Sequence, residues 1–161
     1  MKRVLFVCTG NICRSPTAEG IARQLVATGQ LDERIGVDSA GTHGYHSGEA
    51  PDPRTVKAAA RRGYDLSALR ARKIEVRDFQ EFDLVLALDR GHLELLRRQC
   101  PEVYWPRLRL LMEFARAPAA TGDEVPDPYY GGPKGFELVL DLCEDAVPGV
   151  IDFLRNEAGA R

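Results

Sequence analysis

The sequence of 161 residues has no apolar run long enough to cross a membrane, and its cysteines are few and scattered. The apolar stretch near the N-terminus is too short for a signal peptide. The four cysteines, Cys8, Cys13, Cys100 and Cys143, include no C-x-x-C pair and no spacing typical of zinc ligands. We therefore expect a cytoplasmic protein that contacts no membrane, holds no metal and keeps Cys100 and Cys143 as ordinary thiols.

The chain also has no excess of positively charged residues. The chain has 22 lysines and arginines against 24 aspartates and glutamates, a net charge of −2, which argues against nucleic acid as a main partner. A hydrophobic content of 44% and a charged content of 29% are typical of a soluble globular protein. No repeat, low-complexity tract or linker divides residues 1–161, so we predict a single domain and expect a monomer.

The most informative stretch is Cys-Thr-Gly-Asn-Ile-Cys-Arg-Ser at residues 8–15. Residues 3–7 before it form a short β-branched and aromatic run that predicts a buried parallel strand. After it, apolar residues recur with helical spacing at residues 18–26, and Pro16 suits the first helical position. The sequence therefore predicts a strand, a tight turn that contains Cys8, and a helix.

Such a turn is suited to hold a phosphoryl group. The N-terminus of a helix offers unpaired N–H groups and a partial positive charge to an anion. We expect Gly10 to adopt a positive φ and Asn11 to tolerate the left-handed region, so that successive N–H groups point inward. Arg14 adds a planar donor for two phosphoryl oxygens, and Cys8 would face them as a thiolate nucleophile. The simpler interpretation is a buried cysteine in an ordinary strand–turn–helix unit.

The role of Ser15 is open at this point, because its hydroxyl could hydrogen-bond the thiolate or cap the helix. A capping box is absent, since the third residue after Ser15 is Ala18 rather than glutamate. The loop is also not a nucleotide-binding P-loop, because no Gly-Lys-Ser or Gly-Lys-Thr follows the glycine.

Strand and helix signals alternate along the rest of the chain. They predict an α/β fold: a four-stranded parallel sheet with helices on both faces, right-handed crossovers, and the phosphate-binding loop after the first strand. Asp52 followed by Pro53 predicts a helix start, and Asp89 caps another helix. We expect further strands at residues 35–40, 82–88 and 103–111, and helices at 53–62, 89–99, 110–115 and from about 136 to the C-terminal region.

Several segments are less regular. Pro106 restricts the strand at residues 103–111 to an edge or displaces it, and Pro148 predicts a kink or break in the last helix. Residues 65–67 should start a helical turn, and the basic residues 70–73 are interpreted as a solvated face rather than as the rim of an anionic site. Loops are expected at residues 41–52 and 117–133, and loops of this length are often functional.

The second of these loops contains Asp127 between Pro126 and Pro128, followed by Tyr129 and Tyr130. A thiolate that attacks a phosphate ester needs a proton donor for the departing oxygen, and a carboxylic acid on a stiff loop is suited to that task. Taken alone, the stretch would be read as a common Asp-Pro turn with surface tyrosines.

Together with residues 8–15, this stretch makes the sequence resemble the low-molecular-weight protein tyrosine phosphatases. The resemblance covers essentially the whole chain. It rests on the loop at residues 8–15, on Val-Asp-Ser-Ala-Gly at 37–41, on Asp-Pro-Arg at 52–54 and on Asp-Pro-Tyr-Tyr-Gly at 127–131. The order also matches, with the nucleophile first and the acid last.

The resemblance implies hydrolysis in two steps, without a metal or other cofactor. Cys8 attacks phosphorus and forms a phosphocysteine, Asp127 protonates the leaving phenolate and then activates water, and inorganic phosphate is released. Arg14 and the loop hold the phosphoryl oxygens. The implied phosphate-binding residues are Thr9, Gly10, Asn11, Ile12, Cys13, Arg14 and Ser15.

The resemblance also assigns supporting residues. Asn11, Ser15 and Ser39 would brace the loop, and Tyr45 and Tyr129 would form two walls of a slot that grips an aryl ring. A deep slot favours phosphotyrosine proteins and small aryl phosphates, because phosphoserine is too short to reach the loop. Leu69 departs from the pattern, since many members of the family have a loop-supporting histidine there, and a smaller bracing network is implied.

Three other functions remain as alternatives. An arsenate reductase on the same fold needs two further closely spaced cysteines, whereas Cys100 and Cys143 lie far apart in sequence. A phosphotyrosine-binding module without activity would be expected to lack Cys8 or Asp127. Phosphoarginine phosphatases tend to have threonine at the position of Ile12.

Cys13 suggests redox control of the same site. It lies five residues after Cys8 in a loop that must curl, and a disulfide requires Cα atoms within about 7 Å. Peroxide oxidises a reactive thiolate to a sulfenic acid, with which a neighbouring thiol can condense. The family has a recurrent second cysteine here. We therefore predict a reversible Cys8–Cys13 disulfide, the alternative being that Cys13 only fills the loop.

Overall fold

The computed structural model describes residues 1–117 and 122–159. Its centre is a four-stranded sheet in the order β2-β1-β3-β4, and all neighbouring strands are parallel. The strands are β1 (Lys2–Cys8), β2 (Ile35–Gly41), β3 (Leu84–Ala87) and β4 (Leu108–Leu110). The predicted α/β class and the parallel four-stranded sheet are confirmed.

Helices cover both faces of the sheet, as expected. They are α1 (Arg14–Thr28), α2 (Pro53–Ala60), α3 (Val76–Glu81), α4 (Arg90–Gln99) and α5 (Pro133–Gly159). Alternate residues of β1 enter two separate cores, because successive side chains of a strand point to opposite faces. Val4 and Phe6 pack with α1 and α5, whereas Leu5 and Val7 pack with α3 and α4.

The fourth strand is shorter than predicted. Residues Glu102–Arg107 form a 3-10 helix that contains Pro106, and β4 occupies only Leu108–Leu110 at the sheet edge. The proline has no N–H for a sheet ladder, so it displaces the strand rather than entering it. The helix expected at residues 110–115 is a single 3-10 turn, Leu111–Phe114.

The break expected at Pro148 is absent, because α5 continues through this residue. Val147 and Val150 on either side are completely buried, and this packing outweighs the loss of one backbone hydrogen bond. The helical turn expected at residues 65–67 is also wrong. The Asp65 side chain instead accepts hydrogen bonds from the N–H and hydroxyl of Ser67, which closes a local turn.

The predicted helix boundaries are correct to within two residues where capping chemistry sets them. Asp52 accepts a hydrogen bond from the Arg54 N–H at 2.8 Å, and Pro53 begins α2. The helix ends at Ala60, two residues before the predicted end. The first helix begins at Arg14, so Pro16 is its third residue rather than its first.

Part of the loop predicted at residues 117–133, namely 118–121, lies outside the described residues. Within the described parts of the chain, no helix combines the length and the apolar character needed to cross a membrane.

Candidate active site

The loop between β1 and α1 lies at the carboxyl edge of the sheet. Asn11 adopts the left-handed conformation with φ of 59°, as predicted. Gly10 does not have a positive φ, which corrects that expectation. A Cβ atom at Gly10 would lie 2.9 Å from Cδ2 of His46, so a larger residue there would force the His46 side chain to shift. The loop therefore turns at Asn11 and is closely covered at Gly10.

The Asn11 side chain is buried and uses its amide to brace the loop. Its Nδ2 donates to the hydroxyls of Ser15 at 2.8 Å and Ser39 at 2.9 Å. Its Oδ1 accepts a hydrogen bond at 3.0 Å from the backbone N–H of Arg72. Asn11, Ser15 and Ser39 are thus brought together, as the sequence suggested. Leu69 packs partly buried against the core, and a backbone N–H from the same segment supports Asn11.

Ser15 connects this network to Cys8. Its Oγ lies 3.0 Å from Cys8 Sγ, and both atoms are buried. Because Ser15 accepts the hydrogen bond from Asn11, its own proton is available for the sulfur. Ser15 is therefore placed to donate this proton to Cys8 Sγ. The alternative that Ser15 caps the helix is not realised, since α1 begins one residue earlier.

The far end of the network is Glu19, a buried carboxyl on α1 that sequence reasoning missed. It accepts a hydrogen bond of 2.6 Å from the Ser39 hydroxyl and another from Arg23 Nε. Burial raises the pKa of Glu19, and the hydrogen bonds from Ser39 and Arg23 oppose this rise. The chain Glu19–Ser39–Asn11–Ser15 therefore ends at Cys8 and fixes the directions of the hydroxyl protons along it.

Arg14 is buried beneath the loop, and its guanidinium is held by atoms that are distant in sequence. Nη1 donates to Asp89 Oδ2 at 2.8 Å and to the carbonyl oxygen of Val125 at 3.1 Å. Sequence reasoning assigned Asp89 only a capping role. The cap is real, because Asp89 Oδ1 accepts from the His92 N–H at 2.8 Å, but the other carboxylate oxygen binds Arg14.

Asp127 lies at the mouth of the site, and its side chain is 47% exposed. Its Oδ2 is 3.9 Å from Arg14 Nη2, and its Oδ1 accepts a hydrogen bond at 3.0 Å from the Tyr129 N–H. The segment is tied to the sheet by the hydrogen bond from the Val125 N–H to the Leu88 carbonyl. The two halves of the predicted site therefore meet, although more than a hundred residues separate them.

A cavity of about 240 Å³ opens above the loop. Tyr45 and Tyr129 both line it, and Tyr45 is also stacked on His43. Further lining residues are Cys8, Thr9, Gly10, Ile12, Cys13, Arg14, His46, Asp127 and Tyr130. The cavity thus joins a thiol, a guanidinium, a carboxyl group and two aromatic walls, which is the set of groups needed to cleave an aryl phosphate.

Cys13 lines the same cavity and is a free thiol, as is Cys8. Burial raises the pKa of Cys13 to about 12, so it stays protonated at neutral pH. Cys100 and Cys143 are also buried free thiols. Among the described residues, no cluster of histidine, cysteine, aspartate and glutamate could hold a metal ion.

The basic segment at residues 70–73 differs in part from the predicted solvated face. Arg72 pairs with Asp78 at 3.0 Å and Asp38 at 3.1 Å and is about two-thirds buried. These ion pairs hold the segment that supplies the backbone donor to Asn11. Two other contributors to the site were not foreseen, namely His92 and the contact of Arg14 with Val125. No local sequence pattern indicates these contacts, because His92 and Val125 lie 78 and 111 residues after Arg14.

Comparison with known proteins gives one consistent result. The family model described as low molecular weight phosphotyrosine protein phosphatase matches residues 3–159. A low molecular weight protein-tyrosine-phosphatase of Streptomyces coelicolor is 46% identical, covering 99% of this chain and 97% of the relative. The human low molecular weight phosphotyrosine protein phosphatase is 38% identical, with 88% of this chain and 89% of the relative covered.

Solved structures agree with the sequence relatives. A protein tyrosine phosphatase from Entamoeba histolytica superposes with a TM-score of 0.92 at 39% identity, covering 98% of this chain and 99% of the other. YfkJ from Bacillus subtilis superposes with a TM-score of 0.88 at 33% identity, covering 98% and 96%. With these matches over nearly its whole length, the chain belongs to the low molecular weight protein-tyrosine-phosphatase family.

Proposed function

We propose that this phosphatase hydrolyses phosphotyrosine and aryl phosphate monoesters with Cys8 as nucleophile, Arg14 as phosphoryl-binding residue and Asp127 as general acid and base. The observation that carries the proposal is the shared cavity. Cys8 lines it with a hydroxyl donor 3.0 Å away, and the cavity is also lined by Asp127 and by the buried Arg14, whose Nη2 lies 3.9 Å from Asp127 Oδ2. None of the steps requires a metal or another cofactor.

In the first step, the Cys8 thiolate attacks phosphorus in line with the ester oxygen. The new S–P bond forms as the P–O bond breaks, and the leaving oxygen takes the proton of Asp127. Exposure of Asp127 at the cavity mouth is consistent with this role, because the aryl oxygen departs towards solvent. The products of this step are a free phenol and a phosphocysteine.

In the second step, the Asp127 carboxylate takes a proton from water, whose oxygen attacks the phosphocysteine. The S–P bond breaks, Cys8 returns to the thiolate, and inorganic phosphate is released. The loop N–H groups at residues 9–15 and the Arg14 guanidinium would hold the equatorial oxygens in both steps. Ser15 favours both reactions, since its proton stabilises Cys8 as the attacking and the departing thiolate.

Phosphotyrosine proteins are the proposed substrates, and small aryl phosphates should also react. Tyr45 and Tyr129 stand on the cavity wall and can contact both faces of an aryl ring. Since phosphoserine lacks such a ring and is shorter, it gains neither the wall contacts nor the reach to Cys8. We further propose that the enzyme works in the cytoplasm as a monomer.

The proposed redox control uses the same loop. Hydrogen peroxide would oxidise the Cys8 thiolate to a sulfenic acid, and the Cys13 thiol would displace water to form a Cys8–Cys13 disulfide. Both cysteines line one cavity, which supports the pairing. The raised pKa of Cys13 keeps it a thiol during turnover, so that only the oxidised form of Cys8 engages it.

Replacement of the nucleophile tests the assignment. Cys8→Ser is expected to lose turnover of p-nitrophenyl phosphate while it still binds vanadate, and wild-type enzyme quenched during turnover should have phosphate on Cys8. Cys100→Ser is the matched control, because Cys100 lies in the core on the other face of the sheet. Turnover by Cys8→Ser would contradict the mechanism. Parallel assays with phosphoarginine and arsenate test the alternative activities.

A further inference from the structure

The mechanism described above leaves unused a buried histidine directly behind the phosphate-binding loop. His92 is the third residue of α4, and only 4% of its surface is exposed. Its Nε2 lies 2.8 Å from Thr9 Oγ1 and 3.3 Å from Arg14 Nη2. His92 therefore contacts both the residue after the nucleophile and the phosphoryl-binding guanidinium.

The contact with Arg14 indicates the tautomer of this histidine. Arginine has only donors, so a hydrogen bond from Arg14 Nη2 requires Nε2 to accept, and the Thr9 hydroxyl then shares the same lone pair. The ring proton then belongs on Nδ1. This atom is 3.1 Å from Asp89 Oδ1, although the angle is too poor for a hydrogen bond. The carboxylate still favours a proton on this side of the ring electrostatically.

Burial and the charge of Arg14 keep the ring of His92 neutral. The titratable groups that act on it are Arg14 on α1, Asp89 just before α4, Asp127 between Pro126 and Pro128, and His43, two residues after β2. Burial and the Arg14 charge lower the pKa of His92 to about 4, and they outweigh the opposing effects of Asp89 and Asp127. His92 therefore remains a hydrogen-bond acceptor at neutral pH.

The partners of Arg14 show what this acceptor does. The Nη1 group is used by Asp89 and the Val125 carbonyl, and one Nη2 proton points to His92. Among the described residues, no acceptor lies within hydrogen-bond distance of Nε, and the only other group near Nη2 is Asp127 Oδ2 at 3.9 Å, which is too far for a hydrogen bond. Nε and Nη2 lie along one edge of the guanidinium, and this edge suits two oxygens of a phosphoryl group.

We propose that His92 is a positioning residue. It orients Arg14 so that the edge with Nε and Nη2 faces the phosphoryl group, and it holds the Thr9 side chain beside the guanidinium. This inference rests on the proposed role of Arg14. Without the acceptor at Nε2, one Nη2 proton is buried without a partner, and the guanidinium can rotate about its remaining contacts. Phosphoryl oxygens would then meet a misplaced donor pair, and small misplacements in such sites reduce rates strongly.

Two substitutions at the same position separate positioning from packing. His92→Gln retains an acceptor near the position of Nε2 and cannot be protonated, whereas His92→Leu fills a similar volume without an acceptor. Leu96→Ala is the control, because Leu96 lies one turn later on α4, is completely buried, and packs in the core rather than at the loop. Activities are compared at equal folded fraction.

We expect His92→Leu to lower kcat/KM for p-nitrophenyl phosphate on the order of 10–100-fold and to weaken inhibition by inorganic phosphate. His92→Gln should recover most of both, and Leu96→Ala should change neither. If His92→Leu behaves like Leu96→Ala, or if His92→Gln is as defective as His92→Leu, the positioning role is refuted.

Nitrogen NMR of the His92 imidazole gives a second test, because it reports the tautomer of the ring, which a purely packing role would not determine. At neutral pH it should show a neutral ring with the proton on Nδ1, whereas a proton on Nε2 would overturn the proposal. The NMR and phosphate-binding measurements can be repeated in Cys8→Ser, where turnover is not needed. A failure of the nucleophile assignment therefore remains distinguishable from a failure of the His92 proposal.

Discussion

The buried neutral His92 predicts that the protein loses stability in mild acid. The ordinary pKa of the group is 6.5, and in the folded protein it is about 4 because of burial and the Arg14 charge. Between these pH values His92 is protonated in the unfolded chain and neutral in the folded protein. The free energy of unfolding should therefore fall as the pH drops from about 6.5 to about 4.

The size of the effect follows from the shift. Each pKa unit corresponds to about 1.4 kcal/mol, so a difference of roughly 2.5 units removes about 3 kcal/mol by pH 4. A domain of this kind has a total stability of about 5–15 kcal/mol, so the loss is a large fraction of it. Little of it should remain to be lost below the folded pKa, where both states carry the proton.

Urea unfolding of wild type and His92→Gln at several pH values above 4 isolates the contribution of His92. The wild-type curve should fall more steeply, so that the difference between the two proteins changes by about 3 kcal/mol between neutral pH and pH 4. The other titratable groups are common to both proteins, so their contributions cancel to first order.

Titration of the Asp89 carboxyl does not interfere with the comparison of wild type and His92→Gln above pH 4. Burial disfavours its charge, but the His92 N–H, the ring of His92 and Arg14 outweigh it and lower the pKa of Asp89. Its stabilising effect is present above its ordinary pKa of 3.8 and is lost only as the pH falls below that value. Parallel stability curves of wild type and His92→Gln down to pH 4 would refute the reasoning.

Three further predictions concern other parts of the molecule. Asp127→Asn should slow phosphotyrosine hydrolysis by roughly 10²–10⁴-fold, and steady-state rates should show a smaller loss for aryl phosphates whose leaving group needs no proton; an equal loss for all leaving groups would mean that Asp127 only shapes its loop. Cys13→Ser should make inactivation by peroxide largely irreversible, whereas full recovery with thiol would remove its protective role. Gly149→Ala should destabilise the protein by about 1–3 kcal/mol in urea unfolding, because a Cβ there would overlap the Phe114 carbonyl oxygen. Gly132→Ala, where a Cβ meets nothing within 4 Å, should change stability by less than about 0.5 kcal/mol.

The sequence by itself determined the features whose causes are local. The strand, the loop and the helix around Cys8 follow from a short apolar run, a left-handed Asn11 and the helical spacing that comes after. The Asp52 and Asp89 caps are equally local, because a side-chain oxygen reaches an N–H two or three residues away. The continuous apolar face of α5 was also readable, although its packing overrode the break expected at Pro148.

Only the tertiary structure decided how Arg14 is held. Asp89 and His92 lie 75 and 78 residues after it, and the Val125 carbonyl lies 111 residues after it. No local pattern distinguishes an Asp89 that only caps α4 from one that also binds a guanidinium. The distinction arises because β3 lies next to β1 in the sheet, which brings the start of α4 beside the loop at Cys8. Strand order is set by the burial of whole faces, and the side chains that meet at the carboxyl edge are fixed only when those faces have packed.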